Sequence, residues 1–133
     1  MASELRVNTL KDASGNNSIA TSFVAGGSAK AWAKYGMDDA TIDDSLNLAS
    51  ITDNGTGDFT NSWSSSFGTI NYANLANCNI GAGNSNFNKQ DFYTPLVGSV
   101  RLYTTFHNGS SDSGTGTAYD FQFVSLLAHG DLA

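Results

Sequence analysis

The stretch Ser50-Ile51-Thr52-Asp53-Asn54-Gly55-Thr56-Gly57-Asp58-Phe59-Thr60 constrains this chain more than any other. Strand-forming residues flank a glycine-rich centre, so it reads as strand, tight turn, strand. Asn54-Gly55 suits the turn because both residue types tolerate positive φ, which a primed hairpin turn requires. Such a hairpin commits its neighbourhood to antiparallel sheet. It also sets a register, with residues 45–51 predicted as the strand entering the turn and residues 59–67 as the strand leaving it. Leu46 and Leu48 then share one face, and Phe59, Trp63 and Phe67 share another.

Period-two alternation extends this pattern along the chain. In residues 28–35, Ala29, Ala31, Ala33 and Tyr35 fall on one face, and Lys30, Trp32 and Lys34 on the other. Alanine and lysine also favour helix, but the flanking glycines favour a short strand. Residues 69–80 place Ile70, Tyr72, Ala76, Cys78 and Ile80 on one parity. Residues 97–107 set Val100, Leu102, Thr104 and Phe106 against Arg101, Tyr103 and Thr105. Residues 119–128 set Tyr119, Phe121, Phe123 and Leu127 against Gln122. Asp38, Asp39, Asp43 and Asp44 mark a connecting loop, and the small polar stretches 81–91 and 108–117 mark exposed loops.

The first 27 residues differ from the rest. Leu5, Val7 and Thr9, then Ile19, Thr21 and Phe23, alternate as two short strands around the turn cluster Asp12-Ala13-Ser14-Gly15-Asn16-Asn17. A lone hairpin is marginal in water, so this arm needs a partner, and Gly26-Gly27 reads as the hinge behind it. The expected organisation is therefore an N-terminal arm, residues 1–27, and a knob, residues 28–133. The expected fold class is all-β, with roughly seven strands in a small antiparallel, jelly-roll-like β-sandwich behind an extended arm.

Composition fits one domain. The chain has 133 residues, 40% of them hydrophobic and 14% charged, with one proline, Pro95. Twelve acidic against six basic residues give a net charge of −6, with no Lys/Arg cluster. Nucleic-acid binding is not expected, since phosphate neutralisation needs clustered cations. Membrane insertion is not expected either, since no apolar run is long enough to span. The start carries no basic-then-apolar leader pattern, so synthesis in a cytoplasm without secretion is expected. Cys78 is the single cysteine, so packing or assembly, not an intrachain disulfide, must hold the fold.

Motifs for chemistry are absent. The Asp53–Asp58 loop has oxygen ligands but neither EF-hand spacing nor its closing Glu, and turn formation explains it better. His107 and His129 belong to no zinc motif. No G-x-S-x-G elbow exists, and the glycine pairs lack the lysine of a phosphate loop. No catalytic residue, metal or cofactor is therefore assigned, and the chain is expected not to be an enzyme. Trp32, Trp63, Tyr93 and Tyr103 are candidates for sugar stacking or protein anchoring, with core packing as the simpler role for most of them. The loop residues Asn84, Asn86, Asn108 and Asp112 join Trp32 and Tyr93 as candidate recognition residues, while Leu5, Val7, Ile19 and Phe23 are the candidate arm contacts.

One resemblance stands beside this reading. Gly27-Ser28-Ala29-Lys30-Ala31-Trp32, followed by Asp44-Ser45-Leu46-Asn47-Leu48-Ala49-Ser50-Ile51-Thr52-Asp53-Asn54-Gly55-Thr56-Gly57-Asp58-Phe59-Thr60, resembles the repeated core of bacteriophage tail-fibre and virion-surface (head-decoration) β-sandwich domains. Residues 5–15 are similar to the extended entry segments of such fibres, and residues 119–126 to their closing strand. The resemblance implies a non-enzymatic virion structural protein, a homotrimer, synthesised in the host cytoplasm and carried on the tail or capsid exterior. It implies contacts with other virion proteins and with a host-surface glycan or protein. A tail fibre or spike component is the first expectation, a capsid-decorating protein the second and a carbohydrate-binding module the third; a depolymerase would need two close aspartates in a cleft.

Overall fold

The computed structural model describes residues 6–15, 17–79, 87–107 and 116–133, apart from the side chains of Phe87, Asn88 and His107. Among these residues the chain forms eleven strands and one short helix. It begins with a small hairpin of β1 (Thr9–Lys11) and β2 (Ser18–Ala20), then α1 (Thr21–Gly27). The remaining strands build two antiparallel sheets. One carries β4 (Ile42–Leu46), β3 (Ala31–Tyr35), β11 (Phe123–His129) and β7 (Ala73–Asn79), in that spatial order. The other carries β5 (Leu48–Gly55), β6 (Asp58–Trp63), β9 (Ser99–His107) and β8 (Phe87–Leu96), with β10 (Thr117–Ala118) continuing beside β9 past the end of β6.

The two sheets face each other across one core, as in a β-sandwich. Ala31, Ala33, Tyr35, Val124, Leu126 and Ala128 come from the first sheet, and Phe59, Trp63, Val100 and Leu102 from the second. Small alanines on β3 let the sheets approach, and large rings fill the space between. Tyr35 stacks on Phe59 across the interface, with centroids 6.3 Å apart. Burial pushes the Tyr35 phenol well above its ordinary range, with Asn61 beside it opposing the shift. The Thr104 hydroxyl donates to the carbonyl of Tyr119 and lies 3.4 Å from the Met37 sulfur.

Several sequence expectations meet the structure here. The alternation in residues 31–35 is as expected, with Ala31, Ala33 and Tyr35 buried and Lys34 exposed. The hairpin at residues 48–63 is present, but Asn54-Gly55 is not its tip. The two turn residues are Thr56 and Gly57, and a bulge between Asp53 and Gly55 absorbs the displaced dipeptide. Gly55 and Gly57 both have positive φ, at 132° and 70°. The strand expected over residues 45–51 is broken at Asn47, whose φ is 58°. Its amide donates to the Ser65 carbonyl and its side-chain oxygen accepts from the Ser65 N–H. Asparagine is among the few residues that tolerate this conformation, and here it turns the chain from one sheet to the other. Leu46 and Leu48 therefore lie in different sheets.

Three further expectations change. Asp43 and Asp44 are in strand β4 rather than a loop, and Asp43 pairs with Lys34 of β3 at 2.8 Å. Part of the loop expected over residues 81–91 is the start of β8, an edge strand. Its polar run hides it, because the residue facing inward is Gln90, which donates to the Cys78 sulfur at 2.8 Å. The last strand starts four residues later than expected, at Phe123. Phe121 is buried, but the parity resets after it, so Val124, Leu126 and Ala128 face the core and Phe123 faces out.

The arm is not extended throughout. Thr21 ends β2 by bonding back to residue 8, its N–H to the Asn8 carbonyl at 3.0 Å and its hydroxyl beside the Val7 and Asn8 carbonyls. The chain then winds into α1, so Thr21 and Phe23 are helical and do not continue the alternation of Ile19. Gly26 and Gly27 are the last residues of that helix, not a hinge behind it.

Candidate interaction surfaces

Among the described residues, the candidates other than the buried Trp63 fall on three surfaces. On the arm, Val7, Ile19 and Phe23 are all exposed, Phe23 at 73%. Leu10 and Val24 join them, so neither the hairpin nor the helix buries its apolar side chains. A seven-residue helix and three-residue strands are each too short to be stable alone. Leu5 lies outside the described residues. The helix terminus is tied to the knob by Lys30, whose ammonium donates to the Ala25 carbonyl and to the Ser28 hydroxyl.

The second surface is the outer face of the β8–β9–β6 sheet. Tyr93 and Arg101 are directly opposite each other, as are Asp91 and Tyr103, and Asp58 and Tyr103. Arg101 grips Asp58 with two parallel bonds, the Nε–Oδ1 distance being 2.7 Å. The Tyr93 hydroxyl donates to Asp58 Oδ2 at 3.2 Å. The Tyr93 ring lies under the guanidinium, 5.1 Å from it, and meets Tyr103 edge to face at 6.3 Å. Bidentate geometry and ring stacking are what arginine offers and lysine does not. The hydrogen bonds from Arg101 hold the Asp58 carboxyl below its ordinary range, against a smaller opposing effect of burial. Burial first, and then the Asp58 charge, push the Tyr93 phenol up. The arrangement is a polar and aromatic patch whose side chains hold one another through these contacts.

A pH dependence follows from Asp58. Its pKa is lowered on folding, so the stability it contributes is complete above the unfolded value near pH 4 and is lost as pH falls through the folded value. Asp58→Asn is therefore expected to unfold at lower urea than the parent at pH 7. It is also expected to lose less of its remaining stability between about pH 4 and pH 2. Urea midpoints across that range check this, and parallel acid limbs for the two proteins would contradict it.

The third surface is the outer face of the other sheet, where Trp32 lies half-buried. Trp63, the other tryptophan, is a core residue at 6% exposure, so it presents no platform to a ligand. Asn84, Asn86, Asn108 and Asp112 lie outside the described residues. Among the described residues no group of three or more His, Cys, Asp or Glu side chains is placed to hold a metal ion. Cys78 is buried, and burial pushes its thiol up, away from nucleophilic character.

Alternation alone puts Arg101 and Tyr103 on one strand face but joins neither of them to Tyr93 or to Asp58. Their union depends on the pairing of β6 with β9, which brings Asp58 to Arg101 across 43 positions of chain. The outward parity of Arg101 and Tyr103 was the one signal available locally.

No protein-family model, curated protein or solved structure matches this chain.

Proposed function

We propose that this chain is a non-enzymatic structural protein of a bacteriophage virion, a homotrimeric tail-fibre or spike component exposed on the particle surface. The observation that carries the reading is the arm. A hairpin and helix with five exposed apolar side chains, Val7, Leu10, Ile19, Phe23 and Val24, precede a sandwich with a complete core of its own. Such an arm gains its stability by burying that surface against other chains. The hairpin and Trp32 segments that resemble virion-surface domains supply the virion setting and the threefold assembly. The patch around Tyr93, Arg101 and Tyr103 is a surface suited to contact with a host glycan or protein, since tyrosine and arginine dominate recognition sites.

Gold-labelled antibody against the knob, imaged on intact virions, tests this directly. Label on the tail supports the reading as stated. Label on the head supports the capsid-decoration alternative, in which the same arm docks on the shell. Unlabelled virions containing no copy of the chain would overturn both. The carbohydrate-binding module is the weaker reading, because Trp63 is buried.

A further inference from the structure

The outer faces of the two sheets differ in kind. That of the β5–β6–β9–β8 sheet is polar, with Thr52, Asp58, Thr60, Ser62, Arg101 and Tyr103 pointing out. On the other sheet one row is apolar from edge to edge. Leu46 is directly opposite Trp32, Trp32 is opposite Leu127, and Leu127 is opposite Leu75. The row crosses all four strands, roughly 14 Å from first to last at normal strand spacing. Leu46 is 48% exposed and Leu75 67%. A solvated sheet face is normally polar, and the adjacent row on this sheet, Asp44, Lys34, Ser125 and Asn77, is.

We infer that this row is the seat for the N-terminal hairpin and helix of a second copy of the chain. This deepens the homo-oligomer reading above and rests on it. The arm's exposed Val7, Leu10, Ile19, Phe23 and Val24 match an apolar row, and charge favours the arm over the knob of that copy. Arg6 and Lys11 balance Glu4 and Asp12, so residues 1–27 are neutral and residues 28–133 carry the whole net charge of −6. Knob against knob would press two acidic bodies together, whereas arm against knob does not. Within its own chain the last turn of α1 lies elsewhere, Gly26 sharing a cleft of about 300 Å³ with Tyr72 and Gly130, and Leu46 and Leu75 of the row stay exposed. An arm-to-row contact is heterologous, so it can close a ring of three, whereas row against row would give a twofold dimer and leave the arm exposed.

The test mixes two full-length chains in a Cys78→Ala background, one carrying Phe23→Cys and the other Leu75→Cys, and adds a short bismaleimide. Cross-links joining the two different chains are expected, with few between identical chains. A third full-length protein, Leu46→Glu with Leu75→Glu, is expected to sediment as a single chain while keeping its β-sheet circular dichroism. Cross-links only between Leu75→Cys chains would overturn the inference in favour of row against row. Oligomers that persist in the double glutamate protein, without mixed cross-links, would overturn it while leaving the homo-oligomer reading intact. A parent protein that is monomeric at all concentrations would overturn both.

Discussion

Gly57→Ala is expected to destabilise the knob by about 3 kcal/mol or more, combining left-handed backbone strain with overpacking. Gly57 has φ 70°, where a side chain costs energy in any surroundings. A Cβ there would also run into the carbonyl oxygen of Thr104 and stand 2.8 Å from the backbone nitrogen of Tyr119. Neither can yield easily. Thr104 donates its N–H to the Gly57 carbonyl at 2.7 Å, and the Gly57 N–H is held by the Asp120 carboxylate at 2.6 Å. The turn is thus wedged between β9 and the entry to the last strand. Gly55→Ala is the comparison. Its φ of 132° is strained too, but nothing lies within 4 Å of its Cβ. Its cost is expected to be confined to backbone strain, of order 1–3 kcal/mol, and below that of Gly57→Ala. Urea unfolding at fixed chain concentration separates them, and equal losses would show that close packing at Gly57 does not matter.

Trp63→Ala is expected to cost about 3–5 kcal/mol, the range for truncating a large buried aromatic ring. Trp63 meets Phe67 and Tyr72 edge to face, at 5.7 and 6.3 Å, while Phe67 and Tyr72 stack at 4.2 Å. Its indole N–H donates to the Tyr72 hydroxyl, which lies 2.9 and 2.8 Å from the carbonyls of Leu96 and Ser99. The three rings close one end of the sandwich, and Gly130 leaves no room beside them, since a Cβ there would stand 2.6 Å from that of Tyr72. Truncation therefore removes one of three mutually packed rings and opens a cavity at that end of the core. Trp63→Phe is expected to cost clearly less. If Trp63→Ala unfolded within about 1 kcal/mol of the parent, the end of the sandwich would not be a cooperative part of the core.

The sequence showed most clearly what depends on alternation over a few residues. Ala31, Ala33 and Tyr35, or Val100, Leu102 and Thr104, repeat with the period of a strand and are buried as that period requires. The class of fold follows from such runs. What stayed hidden depends on partners distant in sequence or on single backbone conformations. Asn47 breaks one predicted strand into two by adopting a left-handed φ. Gln90 faces inward on an edge strand, donating to the Cys78 sulfur, so apolar alternation marks β8 only from Phe92 onward and not at its start. Phe123 reads like a core residue and faces out, because the chain between Ala118 and Phe123 is not strand and the parity starts afresh.

The candidate surfaces follow the same division. The apolar character of Val7, Ile19 and Phe23 was legible, but the helix holding Phe23 was not, since it begins where Thr21 bonds back to Asn8. The Asp58–Arg101–Tyr93 cluster and the row from Leu46 to Leu75 exist only through strand register. Each draws on strands far apart in the chain, and no local pattern announces which outward residues will be neighbours.

Sedimentation equilibrium of the intact chain tests the central claim most directly, because it asks whether the arm builds an assembly. The account predicts a mass three times the 13.9 kDa of one chain, independent of concentration over the micromolar range. A mass of one chain throughout that range would contradict it.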